Sequence, residues 1–244
     1  MNLIDIFIPA FDEMENLKVL LPGIRGEIRN IKHYEFRISV IVRSNEPQNL
    51  VRQIEAMSVN VIRRSPRDNF GSAITTAIRN IDLNTKYVIF MDADGSHNPA
   101  RIPILVNSIA TNCADMVIAS RYTEGGKTDN PDILVFLSRI LNKIFALVIG
   151  VKSRDISTNY KIYDARLLRG VQLRCVNFDV IEELFFILNS KKQGKAIILE
   201  IPDHFEKRKF GESKRKMTLF ILSYTITLLK LRVRVSRESA HSGE

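Results

Sequence analysis

Apolar residues in this chain fall into short β-branched runs, separated by stretches that repeat with a helical period. The runs at 4–9, 36–42, 59–63, 87–91 and 115–120 are of strand length and apolar at most positions, the pattern of strands buried on both faces. Strand and helix alternate through this part of the chain, which predicts an α/β fold: a Rossmann-like, mostly parallel sheet with helices on both faces. Ligands in such sheets bind beyond the carboxyl ends of the strands. Pro9, Phe11 and Glu13 follow the first run, and Asp92 and Asp94 follow the fourth.

The pattern changes after Arg121. A Gly125-Gly126-Lys127 loop precedes a long helix from about Pro131 to 150, then a mixed segment to Asp164 and a helix beginning near Phe178. A strand at 196–202 leads into a very basic loop, and an amphipathic C-terminal helix is expected over 214–235. The polar tail at 236–244 has too little apolar content to fold alone. The expected division is therefore a catalytic-size domain at 1–213, a membrane- or partner-facing helix at 214–235 and a disordered tail at 236–244. No internal repeat is visible.

At 244 residues and 45% hydrophobic content, the domain is large enough for one sizeable core. The 36 Lys and Arg outnumber the 27 Asp and Glu, giving a net charge of +9 that favours anionic partners. Nucleic acid is not expected among them, because no helix-turn-helix, aromatic RNA-binding signature or zinc spacing is present. Two cysteines, Cys113 and Cys175, give no disulfide framework. They read as inert core thiols in a reducing compartment. The start Met1-Asn2-Leu3-Ile4-Asp5 lacks a basic region and carries an acid, so it reads as a strand rather than a secretory signal. The apolar stretches at 133–151 and 217–231 both contain cations. A spanning helix needs roughly 20 mostly uncharged residues, so membrane contact is expected to be peripheral or through an integral partner.

The strongest local signal is Asp92-Ala93-Asp94-Gly95-Ser96-His97-Asn98-Pro99 after a buried strand. Two carboxylates two residues apart can share one Mg²⁺ or Mn²⁺, with diphosphate oxygens completing the coordination. From the residues alone, Asp94 or Ser96 capping a helix that starts near Pro99 fits equally well. In the helix at 131–150, Leu134, Leu137, Leu141, Ile144, Phe145 and Val148 form an apolar face, and Ser138, Arg139, Asn142 and Lys143 share another. One face is greasy and the other suits phosphate, although an ordinary helix packed on a core has the same pattern.

Ile8-Pro9-Ala10-Phe11-Asp12-Glu13-Met14-Glu15-Asn16 resembles the opening of family 2 glycosyltransferases, and 91–99 resembles their metal motif. Four later elements resemble, in order, those of dolichyl- and polyprenyl-phosphate sugar synthases. They are Ala119-Ser120-Arg121-Tyr122, Ser138-Arg139, Asp155-Ile156-Ser157-Thr158-Asn159-Tyr160-Lys161 and Arg208-Lys209-Phe210-Gly211-Glu212-Ser213-Lys214. The ordered set is more specific than any one member.

This resemblance implies a GT-A fold and an inverting, metal-dependent transfer from a nucleotide-sugar donor to a polyprenyl phosphate, at the inner, cytoplasmic face of a membrane. It implies that Pro9, Phe11 and Glu13 contact the donor, with Arg208 and Lys214 toward phosphate. Asp92 and Asp94 would hold the metal, and Arg121, Ser138 and Arg139 the acceptor phosphate. Glu183 lies where relatives often carry a functional acid. Taken singly, each arginine also fits a solvated surface charge, and Glu183 a helix-surface charge.

Three positions depart from the pattern. Arg43-Ser44 stands where two aspartates are usual, with Glu46 able to compensate from a shifted loop. Gly95 replaces a commoner apolar residue, and Asn159 replaces a glycine. Two further readings follow: transfer to a saccharide acceptor with Glu183 as base, and a catalytically silent binding or scaffold subunit.

Overall fold

The computed structural model describes residues 2–65, 67–208 and 210. The strands are β1 (Asn2–Pro9), β2 (Tyr34–Val42), β3 (Asn60–Arg63), β4 (Thr85–Phe90), β5 (Met116–Ser120), β6 (Lys127–Thr128), β7 (Lys161–Asp164), β8 (Ile198–Pro202) and β9 (His204–Phe205). The helices are α1 (Met14–Ile28), α2 (Gln48–Glu55), α3 (Phe70–Arg79), α4 (Ile102–Thr111), α5 (Asp132–Ile149), α6 (Ala165–Leu168) and α7 (Val180–Lys191). The expected C-terminal helix and Lys214 lie outside the described residues.

Among the described residues, a seven-stranded sheet has the order β3-β2-β1-β4-β7-β5-β8. Its strand pairs are parallel except those of β7, which runs antiparallel to both β4 and β5. The sequence left β7 inside a mixed segment. Its four residues are too few to display a period, and the reversal matters: the loop leading into β7 reaches the same rim as the carboxyl ends of the parallel strands.

Side-chain alternation along the strands divides the core in two. Ile4, Ile6, Ile8, Val40, Val42 and Ile89 pack with α1, α2 and α4 on one face. Phe7, Ile41, Val88 and Phe90 pack with α3, α5, α6 and α7 on the other. The acid in the first strand is explained by its partners. Asp5 is fully buried and accepts from Arg37 Nε at 2.7 Å, Arg37 Nη2 at 2.8 Å and Thr85 Oγ1 at 2.7 Å, which compensates the cost of burying its charge.

Two expectations are corrected. Cys113 is exposed, at a left-handed φ of 49° just after α4, so it is not a core thiol, whereas Cys175 is half-buried and packs against the core. The faces of α5 are also redistributed. Asn142, Phe145 and Ile149 are its buried positions, and Ser138 is half-buried with them. Leu137 and Ile144 instead face outward with Ile133, Phe136, Ile140 and Leu147. Asn142 turns inward and exchanges hydrogen bonds with Ser157, while Arg139 and Lys143 of the same expected face stay exposed, a split that hydropathy alone does not reveal.

Candidate active site

The rim of the sheet gathers the loops after β1, β2, β4 and β5 together with the loop before β7. After β4 the chain turns through Asp92–His97, and Gly95 sits at a φ of +77°, a conformation that costs glycine little and other residues more. That accounts for the departure at this position. Asp94 Oδ1 accepts from the Ser96 hydroxyl at 2.5 Å and the Ser96 N–H at 3.1 Å, while Oδ2 accepts from Arg208 Nη2 at 2.8 Å. Burial alone would raise this carboxyl, but the Ser96 hydroxyl, His97, the Ser96 N–H and the Arg208 guanidinium, in that order, hold it below the usual carboxylate range. The helix cap is supplied by Asn98, whose side chain accepts from the Ala100 N–H at 3.0 Å. Asp94 and Ser96 are therefore not the cap.

Asp92 is fixed from two sides. Its Oδ1 accepts from Asn159 Nδ2 at 2.9 Å, and its backbone N–H donates to His97 Nδ1 at 3.0 Å. His97 is buried, with its ring stacked on Tyr160 at 4.9 Å. The side chains of Asp92 and Asp94 keep 24% and 17% exposure, so both reach the surface of the cleft. Glu13 lies beside them. It accepts from Asn16 Nδ2 at 2.5 Å, and Arg208 Nη1 stands 3.9 Å from its Oε1.

Among the described residues, no group of three His, Cys, Asp or Glu side chains could hold a metal ion. Asp92 and Asp94 offer a hard, oxygen-only pair that suits Mg²⁺ or Mn²⁺ once phosphate oxygens complete the shell. Arg208 neutralises Asp94.

The end of β2 is rebuilt around the departing residue. Arg43 donates to Glu46 at 3.0 and 3.2 Å, lies 2.9 Å from Asp12 and stacks over the Phe11 ring at 4.8 Å. Ser44 hydrogen-bonds Asp68 through both its N–H and its hydroxyl. Glu46 is nearly buried and, with Ala10, Asp12, Glu13, Leu17 and Val42, lines a narrow cavity. Carboxylates are thus present in this corner, delivered by residues 12, 13 and 46 rather than by the strand end. Pro9 closes β1 beneath them.

After β5, Arg121 is nearly buried and forks onto Asp155, with Nε at 2.8 Å and Nη2 at 2.6 Å, and Nη2 also reaches Ser157 Oγ at 2.9 Å. Arg139 is exposed, and its guanidinium lies over the Tyr122 ring at 5.2 Å, with that of Arg121 4.9 Å from the same ring. Asn142 Nδ2 joins Ser138 Oγ at 3.3 Å to Ser157 Oγ at 3.1 Å. Arg121, Ser138 and Arg139, drawn from separate segments, therefore form one cluster. Phe205 links the two halves, since its ring lies 5.5 Å from the Arg121 guanidinium and 5.6 Å from the His97 ring.

Glu183 is placed differently. It is buried in α7, and its Oε2 accepts the N–H groups of Arg174 and Cys175 at 2.8 and 2.7 Å, so it anchors that loop. Sequence reasoning missed Asn159, Asp155, Ser157 and His97 as working parts of the site. Their only signal was membership of the two motifs.

The Glycosyl transferase family 2 model matches residues 5–171. The chain belongs to that family. An undecaprenyl-phosphate mannosyltransferase of Micrococcus luteus is 30% identical over 85% of this chain and 85% of its own length. A dolichol-phosphate mannosyltransferase of Pyrococcus furiosus is 30% identical over 96% of this chain and 66% of its own length. A polyprenol monophosphomannose synthase of Mycolicibacterium smegmatis is 24% identical over 86% of this chain and 79% of its own. The fold matches a glucosyl-3-phosphoglycerate synthase of Mycobacterium tuberculosis in complex with Mn²⁺, UDP and phosphoglyceric acid. The TM-score is 0.70 at 16% identity, over 95% of this chain and 78% of that one. The protein is a family 2 glycosyltransferase with a GT-A-like fold.

Proposed function

We propose that this glycosyltransferase moves one sugar from a nucleoside diphosphate to a polyprenyl phosphate at the cytoplasmic face of a membrane, with inversion at the anomeric carbon. The observation that carries the reading is the adjacency, through Phe205, of the Asp92/Asp94 pair to the Arg121/Ser138/Arg139 cluster. One half suits a diphosphate leaving group and the other an anionic acceptor. Asp92 and Asp94 would hold Mg²⁺ or Mn²⁺, which neutralises charge growing on the departing nucleoside diphosphate. Arg208 stands beside Asp94 to take diphosphate oxygens, and Glu13 and Phe11 border the donor corner.

The acceptor supplies its own nucleophile. A phosphate monoester has a second pKa of about 6, so it attacks already ionised. No general base is required, which agrees with Glu183 being engaged by two backbone N–H groups and favours this acceptor over a saccharide. Arg139, with Arg121 behind Tyr122, offers directed N–H donors to phosphate oxygens.

A lipid-borne acceptor also accounts for the outer face of α5. Ile133, Phe136, Leu137, Ile140, Ile144 and Leu147 leave an apolar stripe exposed on the helix that carries Arg139. Among the described residues no helix is long and apolar enough to cross a membrane, so this stripe fits peripheral contact. The expected 214–235 helix is a second candidate for that contact.

The test is transfer of radiolabel from a panel of nucleotide-sugars to undecaprenyl or dolichyl phosphate with Mg²⁺ or Mn²⁺. The relatives named above are named for mannose, so mannosyl donors come first. Labelled lipid is the expected product. Label appearing only on free saccharides would reverse the acceptor assignment, and no transfer from any donor would favour a silent binding subunit.

A further inference from the structure

We propose that Asn159 is a positioning residue for the metal site: its side-chain amide takes Oδ1 of Asp92 and leaves Oδ2, whose neighbour is His97 Nε2 at 3.8 Å, for the cation. The inference rests on the metal reading above. The amide Nδ2 lies 2.9 Å from Asp92 Oδ1, and Asn159 itself is only 5% exposed. Hydrogen bonds to a carboxylate are among the stronger ones, and partners of metal ligands fix ligand orientation.

What holds Asn159 is as informative as what it holds. Antiparallel pairing sets Lys161 opposite Phe90, two residues before Asp92. The fully buried Lys161 ammonium donates to the carbonyls of Ile156 and Thr158, closing the loop on its inner side. Asp155 is forked by Arg121, and the Ser157 N–H donates to Asn142 Oδ1 at 2.9 Å. The amide is therefore delivered to Asp92 by a loop tied at several points outside the metal site. A glycine at 159 would leave this carboxylate without that donor, so a residue that looked like a mild departure supplies a contact the usual residue cannot make. Ordering Asp92 before binding removes an entropic cost that the ligand would otherwise meet.

The experiment is calorimetric titration of the full chain with the Mn²⁺ complexes of ADP, CDP, GDP and UDP, whose phosphate oxygens complete the metal shell, beside the same nucleotides without metal. Both Asn159→Gly and Asn159→Ala are expected to raise the Kd of the Mn²⁺-nucleotide complex about tenfold, the lower end of what such partners contribute. In an Asp92→Ala background, Asn159→Ala is expected to change Kd by less than about twofold, because its effect runs through Asp92. Wild-type affinity in the alanine variant would overturn the proposal. So would a further tenfold loss in the Asp92→Ala background, or a loss confined to the glycine variant, which would point to the backbone. A wild-type chain whose nucleoside diphosphate binding is unchanged by Mn²⁺ would overturn the metal reading itself and, with it, this inference.

Discussion

Replacing Phe136 and Leu147 on the outer face of α5 by serine should detach the protein from membranes without unfolding it. The two residues are 61% and 75% exposed. Full burial of a Phe or Leu side chain is worth about 1.5–3 kcal/mol. Scaled by the exposed fractions, the pair contributes about 2–4 kcal/mol to partition into a bilayer interface, or roughly 30- to 1,000-fold in the partition coefficient. The side chains are largely in water in the folded chain, so the substitutions should move folding stability by only about 0.5 kcal/mol.

Sedimentation with sucrose-loaded vesicles of phosphatidylglycerol and phosphatidylcholine measures the partition directly. The double variant should remain in the supernatant at lipid concentrations that pellet the wild type. Its transfer to a short, water-soluble polyprenyl phosphate should persist. Partitioning within threefold of wild type would refute the assignment of this face and move the contact to another surface.

Other consequences follow from the network around the site. Burial pushes the Lys161 ammonium down to about 8 from 10.5, so between these values the unfolded chain holds the proton more tightly. Stability from this group therefore rises as pH climbs from 8 to 10.5, by up to about 3 kcal/mol. Urea unfolding of wild type against Lys161→Met across that range should lose this rise in the variant, and parallel curves would refute it. Arg43→Ala leaves Asp12 and the nearly buried Glu46 facing each other without their shared cation. It should cost about 1 kcal/mol, read as a 2–4 °C lower melting midpoint, with an unchanged midpoint counting against the ion triad. At Gly126 an added Cβ would stand 2.5 Å from the Ser120 carbonyl oxygen. Gly126→Ala should therefore destabilise by about 1–3 kcal/mol, and a neutral result in thermal melts would contradict this close approach.

The sheet was readable because its central strands are buried on both faces, which writes a continuous apolar run into the sequence. Asp5 interrupts such a run, yet its partner Arg37 lies on the neighbouring strand, a pairing visible only once β1 and β2 are in register. The site was readable in part. Asp92 and Asp94 stand two residues apart, so sequence places them together. The cluster of Arg121, Ser138 and Arg139 depends on contacts across 34 positions between Arg121 and Asp155, and 15 between Asn142 and Ser157, which no local pattern encodes. The inward turn of Asn142 on α5 has the same origin: it faces the 155–159 loop because Ser157 meets it there. The Arg43 corner was legible as an anomaly, and the structure supplies its compensation through Glu46.

If the Asp92/Asp94 pair stabilises the leaving diphosphate, its role is read from transfer by Asp94→Ala compared with wild type under saturating Mn²⁺, nucleotide-sugar and polyprenyl phosphate. Turnover should fall by about 10²–10³-fold, the usual cost of removing an electrostatic partner of a developing charge, while the melting temperature stays close to that of the wild type. Turnover within a few-fold of wild type would show that Asp94 does not stabilise the departing diphosphate.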